Sequence, residues 1–361
     1  MRHGWIAMVV GAGLVWAQGS TPAAAQQSQS LGLCVQFYSA KRYDTAKGLC
    51  ERAVREQPTN GDALLWLART QLKLGQVTAA IENLRLSIRQ NAANVSAYIA
   101  LAQAHIDQYR LSENRDSPTA RASLDQALNT LREAERVRPN YAATFLNRGV
   151  VLALQGQYDS AQYDRAVEAL KKAQSLEDNA ISRSTLADVY LAQGKPEEAL
   201  KTYADAVLKF PRDLDLRTRY GSLLLVSNRC AEAVENFTQA SILAPGDAEV
   251  YVLTGQAQFC LKNWKLSGVA FENAVALAPA RYPDAYFSLG RVYVEIGDWA
   301  KARFNFTKAV ALTPKSADYR YWLGRSWEST GDKAAARNNY EEALKLRPDF
   351  PEAREALARV R

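Results

Sequence analysis

One feature constrains this chain more than any other: it repeats itself. Pro211 and Pro245 stand 34 residues apart, as do Pro245 and Pro279; Pro314 follows after 35 and Pro348 after another 34. A unit of that length cannot bury an apolar face alone, so neighbouring copies must stack to share one core. Aligning on the prolines brings further columns into register. Gly221, Gly255, Gly290 and Gly324 form one, Phe237, Phe271, Phe306 and Tyr340 a second, and Ala240, Ala274, Ala309 and Ala343 a third. Each unit reads as two short helices. In DAYFSLGRVYVEIGDWAKARFNFTKAVALTP, Gly297 and Asp298 make the turn, and Pro314 closes the second helix because its ring cannot continue one.

These columns resemble the tetratricopeptide repeat (TPR) family: a large residue, Leu-Gly, Tyr, then Ala, Phe, Ala and Pro. Tyr286, Leu289, Gly290, Tyr293, Ala302, Phe306, Ala309 and Pro314 match best, and Leu186, Ala187, Tyr190, Gly194, Ala199, Tyr203, Ala206 and Pro211 follow the same order. Small residues let paired helices approach closely, while large ones fill the gaps between units. Earlier copies are more degenerate: Gly149 with Gly156, Ala102 with Ala127 and Ala134, Ala68 with Gly75 and Ala80, then Ala46, Ala53 and Pro58. The resemblance implies an all-α fold, a right-handed superhelical solenoid of about nine helix-turn-helix repeats over residues 31–349, with 350–361 as a C-terminal capping helix.

The N-terminus has a different character. Arg2 and His3 precede an apolar stretch from Trp5 to Trp16, and Thr21, Pro22 and three alanines follow, the layout of a secretory signal peptide over residues 1–25. Residues 26–30 make a polar leader. The expected location is therefore outside the cytoplasm, periplasmic or secreted. Nothing later is long and apolar enough to span a bilayer. Lipidation at Cys34 is disfavoured by Leu33, where the processing enzyme wants a small residue. The net charge of +7 is spread thinly, with no basic run beyond Lys171 and Lys172, so no nucleic-acid partner is expected.

In the repeat frame Cys34 occupies the small-residue column and Cys50 the large-residue column of one unit, which face each other. Cys230 and Cys260 fall at helix ends that lie side by side in a TPR stack. Only nearby repeats touch, so the expected disulfides are Cys34 with Cys50 and Cys230 with Cys260, suited to an oxidising compartment. The alternative is four buried free thiols.

No catalytic, cofactor or metal motif is present, and His105 falls in a packing column, so an enzyme is not expected. In TPR stacks the first helices line a groove through residues three before, one after and four after the small column. Here those sites are mostly apolar, and towards the C-terminus Phe287, Arg291, Tyr321 and Arg325 join Val252 and Phe259 as the expected protein-binding residues. Packing between helices is the competing role. Some family members grip chaperone C-terminal carboxylates through Lys and Asn at these sites; the residues here differ, so that ligand is not implied. Two turns are longer than the plan, in YRLSENRDSPTARA and QYDSAQYDRA, and make Arg110, Arg115, Tyr158 and Tyr163 a candidate second contact site. The expected function is an exported scaffold or adaptor binding a protein segment, in cell-envelope assembly or secretion. The alternative is a module for carbohydrate or anionic wall polymer.

Overall fold

The computed structural model describes residues 29–360, so the expected signal peptide and residues 26–28 of the leader lie outside the described part. Among the described residues there are 19 α-helices and no strand. They run as nine antiparallel pairs and one closing helix: α1 (Gln29–Ser39) with α2 (Tyr43–Glu56), α3 (Gly61–Lys73) with α4 (Val77–Gln90), α5 (Val95–Leu111) with α6 (Pro118–Val137), α7 (Ala142–Gln155) with α8 (Ala161–Leu176), and α9 (Ala180–Ala192) with α10 (Pro196–Lys209). Then come α11 (Leu214–Val226) with α12 (Cys230–Leu243), α13 (Ala248–Cys260) with α14 (Trp264–Leu277), α15 (Pro283–Ile296) with α16 (Trp299–Leu312), α17 (Ala317–Ser329) with α18 (Lys333–Leu346), and α19 (Pro351–Arg359). The all-α class and the repeated pairing are as the period predicts. The chain divides into two compact units between Tyr203 and Ala204, within α10.

One contact recurs inside each pair. A Cβ added at Gly221, Gly255, Gly290 or Gly324 would lie 2.5 to 2.8 Å from the ring of Phe237, Phe271, Phe306 or Tyr340 respectively. Those rings lie against the glycines of the first helix, and every one of them is at most 1% exposed. In the first unit the same columns hold Ala68 with Leu84, Ala102 with Leu131, Gly149 with Leu170 and Ala187 with Tyr203, and the four larger side chains are at most 1% exposed. Cys34 and Cys50 occupy these columns in the first pair and are joined as a disulfide with Cα atoms 5.2 Å apart. Cys230 and Cys260 form a second disulfide, at 6.1 Å, linking the start of α12 to the end of α13 and hence two successive repeats. No cysteine is free.

The pairs begin and turn by local rules. Asp213, Asp247, Asp298, Ser316 and Asp332 accept backbone N–H bonds at the starts of α11, α13, α16, α17 and α18. Seven of the nine turns between paired helices contain one left-handed residue. Gly75, Gly194, Gly297 and Gly331 supply it at φ 73 to 92°, while Lys41, Asn228 and Lys262 are held there at φ 58 to 59° without the freedom of glycine.

The long turn of the third repeat is shorter than the sequence implies. Most of its extra residues extend the helices, giving α5 17 residues and α6 20, and only Ser112–Ser117 connects them. Pro118 explains the start of α6, since proline fits the first helical position and Ser117 caps the Ala120 amide.

Two outcomes follow. Gly290→Ala would gain about 1 kcal/mol of helix propensity, but the displaced Phe306 ring should cost about 1–3 kcal/mol. Amide exchange in α15 and α16 is expected to accelerate, and α3 and α4 should stay unchanged because repeats couple only to neighbours. Lys262→Gly should slow exchange around the α13–α14 turn by relieving the left-handed cost.

Candidate protein-binding face

In the second unit the residue following each helix-closing glycine points away from the core contact. It is Ser222 in α11, Gln256 in α13, Arg291 in α15 and Arg325 in α17, Gln256 exposed and the other three half-buried. Both guanidiniums converge on one ring, Trp322: Arg291 lies 4.1 Å and Arg325 4.8 Å from its centroid. Arg291 also approaches Phe259 at 6.0 Å and Arg325 approaches Trp299 at 5.9 Å. Two like charges share one aromatic ring, each attracted by its π-face. Burial pulls the Arg291 pKa down, Glu295 opposes that, and Arg325 lowers it further. Among the described residues no carboxylate pairs with either guanidinium within 4.0 Å, and the buried Arg291 Nε has no hydrogen-bond partner. The arrangement can accept an acidic or polar group beside apolar side chains.

The other expected residues divide between face and seam. Phe259 meets Trp264 edge-on at 4.9 Å, and Val252 lies half-buried on the cluster of Phe271 and Leu289. Phe287 stacks on Tyr319 at 4.8 Å and leans on Phe306 at 5.7 Å, so it fills the seam between repeats. Tyr321 is wedged among Trp322, Tyr340 and Phe350, the last at 5.0 Å. Glu328, the last groove column member, accepts bonds from the Tyr340 hydroxyl and from Arg359 Nε at 3.2 Å, which ties α17 to α19. In the first unit the column three before the small residue is shut: Leu31, Leu65, Ile99, Leu146 and Ser184 are at most 6% exposed. Its counterparts in the second unit, Thr218, Val252, Phe287 and Tyr321, are half-buried.

The residues of the two long turns interlock. The Tyr158 hydroxyl meets that of Tyr109 and donates to the Arg115 carbonyl at 3.0 Å, while the Arg121 guanidinium lies 4.0 Å over the Tyr158 ring. Arg115 donates to the Arg110 carbonyl, and Arg110 pairs with Asp107 at 3.4 Å. Tyr163 is 7% exposed and packs on Gly156, so it belongs to the core. His105 is buried, with its pKa lowered by that burial, and its Nδ1 meets Gln108. Sequence reading missed Trp322, because its partner Arg291 lies in the preceding repeat, whereas the columns compare equivalent positions only.

The tetratricopeptide repeat, as a family, matches residues 37–104, 120–174, 160–224, 287–348 and 328–361. A thermophilic TPR protein of Thermus thermophilus aligns in space with a TM-score of 0.50 and 45% identity, over 55% of this chain and 99% of that one. The C-terminal part of a TPR repeat-containing protein from Cytophaga hutchinsonii aligns with a TM-score of 0.54 and 18% identity, over 71% and 99%. In sequence, the human mitochondrial import receptor subunit TOM70 is 24% identical over 285 residues, 77% of this chain and 45% of that protein. The chain thus spans less than half the length of this curated relative. No helix among the described residues is long and apolar enough to cross a membrane.

The Glu328 contacts predict a pH-dependent cap. Burial alone would raise its pKa, but the bonds from Arg359 and Tyr340 outweigh burial and hold it below the ordinary glutamate range. Stability from a depressed carboxylate is fully present above its unfolded value of about 4.3 and is lost as pH falls through the folded one. Amides of α19 should therefore exchange faster, relative to those of α13, below about pH 4. Glu328→Gln should bring the faster exchange to neutral pH and remove most of the pH dependence.

Proposed function

From the premise that this chain belongs to the tetratricopeptide-repeat family, whose members bind protein partners, we propose that it is an exported scaffold that holds a partner segment on the first-helix face of α13, α15 and α17. The observation that carries the proposal is the pair of unpaired guanidiniums on Trp322. Arginine and tryptophan beside half-buried apolar side chains is the composition of interface hot spots. An extended or helical segment with apolar anchors and a polar or acidic group fits this face. The work is recognition, without a chemical step, in assembly or secretion at the cell envelope. Support for export comes from the signal-peptide pattern of residues 1–25 and from two disulfides, which persist in oxidising compartments.

The test is affinity capture from an envelope extract by the chain starting at Gln26, beside an Arg291→Ala/Arg325→Ala variant of equal helicity. The proposal expects one protein retained by the wild type and reduced about tenfold or more with the variant, the size of a hot-spot loss. Equal capture by both would move recognition off this face.

A further inference from the structure

The two irregular repeats meet over a second feature, remote in sequence from the face just described. A cleft of about 370 Å³ opens in the first unit between one side of α6 and the start of α8. That volume is in the range of small-ligand sites. Its wall is Tyr158, fixed by the Tyr109 hydroxyl, the Arg115 carbonyl and the Arg121 guanidinium. Both long turns are needed to make this wall: Arg115 and the first turns of α6 come from one, Tyr158 from the other.

The polar lining is mixed. Arg132 donates to Asn129 Oδ1 at 2.6 Å and Arg165 to Gln162 Oε1 at 2.7 Å, both neutral amide oxygens. Among the described residues neither has a carboxylate partner, and each guanidinium has five N–H donors to place. Two carboxylates line the same cleft. Asp125 accepts from Gln155 Nε2 at 2.8 Å and Asp159 from Gln162 Nε2 at 2.6 Å, and each keeps acceptor capacity beyond that bond. An acidic peptide would satisfy the arginines but offer the aspartates only backbone N–H groups spread along its chain, not several donors on one ring. A neutral sugar would supply hydroxyl donors and leave the arginines without an anion. A ligand bearing hydroxyls and a carboxylate on one ring answers both.

We propose that this cleft binds acidic sugar units, uronate residues of an oligo- or polysaccharide, with the carboxylate at Arg132 and Arg165, hydroxyls at Asp125 and Asp159, and Tyr158 as the wall. The carboxylate contacts are charge-assisted and the fork of each arginine suits a bidentate acid.

Calorimetric titration of the chain with trigalacturonate at low salt tests this, beside maltotriose as a neutral sugar and triglutamate as an acid without sugar hydroxyls. Saturable binding of trigalacturonate is expected, weakened by added salt. Maltotriose and triglutamate should bind about tenfold or more weakly. The Arg132→Ala/Arg165→Ala variant, at unchanged helicity, should lose about tenfold or more, and Arg291→Ala/Arg325→Ala should bind as wild type. Absence of saturation, equal affinity for either control, or unchanged affinity of the Arg132/Arg165 variant overturns the proposal. Because the Arg291/Arg325 variant enters as a bystander, failure here leaves the protein-binding face untouched.

Discussion

Everything in this chain depends on a large side chain of one helix lying on the bare backbone of the helix before it. Four rings, Phe237, Phe271, Phe306 and Tyr340, rest on Gly221, Gly255, Gly290 and Gly324 so closely that not even a methyl group fits. Glycine weakens a helix by about 1 kcal/mol relative to alanine, and a buried ring offsets this with about 1.5–3 kcal/mol of apolar burial. Where the large partner shrinks to leucine, as at Leu84 and Leu131, the small partner grows to alanine at Ala68 and Ala102. Size is traded in those pairs, whereas Gly149 with Leu170 is smaller in sum and Ala187 with Tyr203 larger. In the first pair the trade ends in a covalent bond, since Cys34 and Cys50 stand in these very columns. Among the described residues that repeat has a neighbour on one side only, and a crosslink closing a loop of this size contributes about 3 kcal/mol.

Once that contact holds each pair, the residues one after and three before the glycines are free for other work. They divide by neighbour. Phe287 and Tyr321 turn into the seam, against Tyr319 and Phe350, and their role is to join repeats. Arg291 and Arg325 stay at the surface on Trp322, and two unpaired cations on one ring are a poor arrangement for stability alone. The far end is closed differently: Glu328 is committed to Arg359 and Tyr340, so the last repeat is sealed by α19.

The sequence made the fold legible because the central contact has a fixed spacing. Gly221 to Phe237, Gly255 to Phe271, Gly290 to Phe306 and Gly324 to Tyr340 are each sixteen residues apart, and so are Cys34 and Cys50. The disulfide pairing could be read from the same register. Less of the site was legible. Column arithmetic placed Arg291 and Arg325 on one face but could not show that Trp322 gathers them, since the Arg291 contact joins unequal positions of successive repeats and Trp322 lies outside the compared columns. It also treated Leu31 to Ser184 as groove lining, whereas tighter packing buries that column in the first unit. The extra residues of the third repeat read as a loop, yet helical backbone bonding extends α5 and α6 instead, with Ser117 and Pro118 setting where the second begins.

Recognition is proposed on the face carrying Gln256 and the two arginines. Gln256 is exposed and sits in the same column as Arg291 and Arg325 without a core contact to lose. Replacing it with the photo-reactive residue benzoylphenylalanine, and placing the same residue at exposed Lys308 of α16 as a control, would report what touches each face in living cells. A single crosslinked partner protein from position 256 and none from 308 is the predicted result. The same partner from 308 alone, or none from 256 while the chain is folded and in place, would contradict the account.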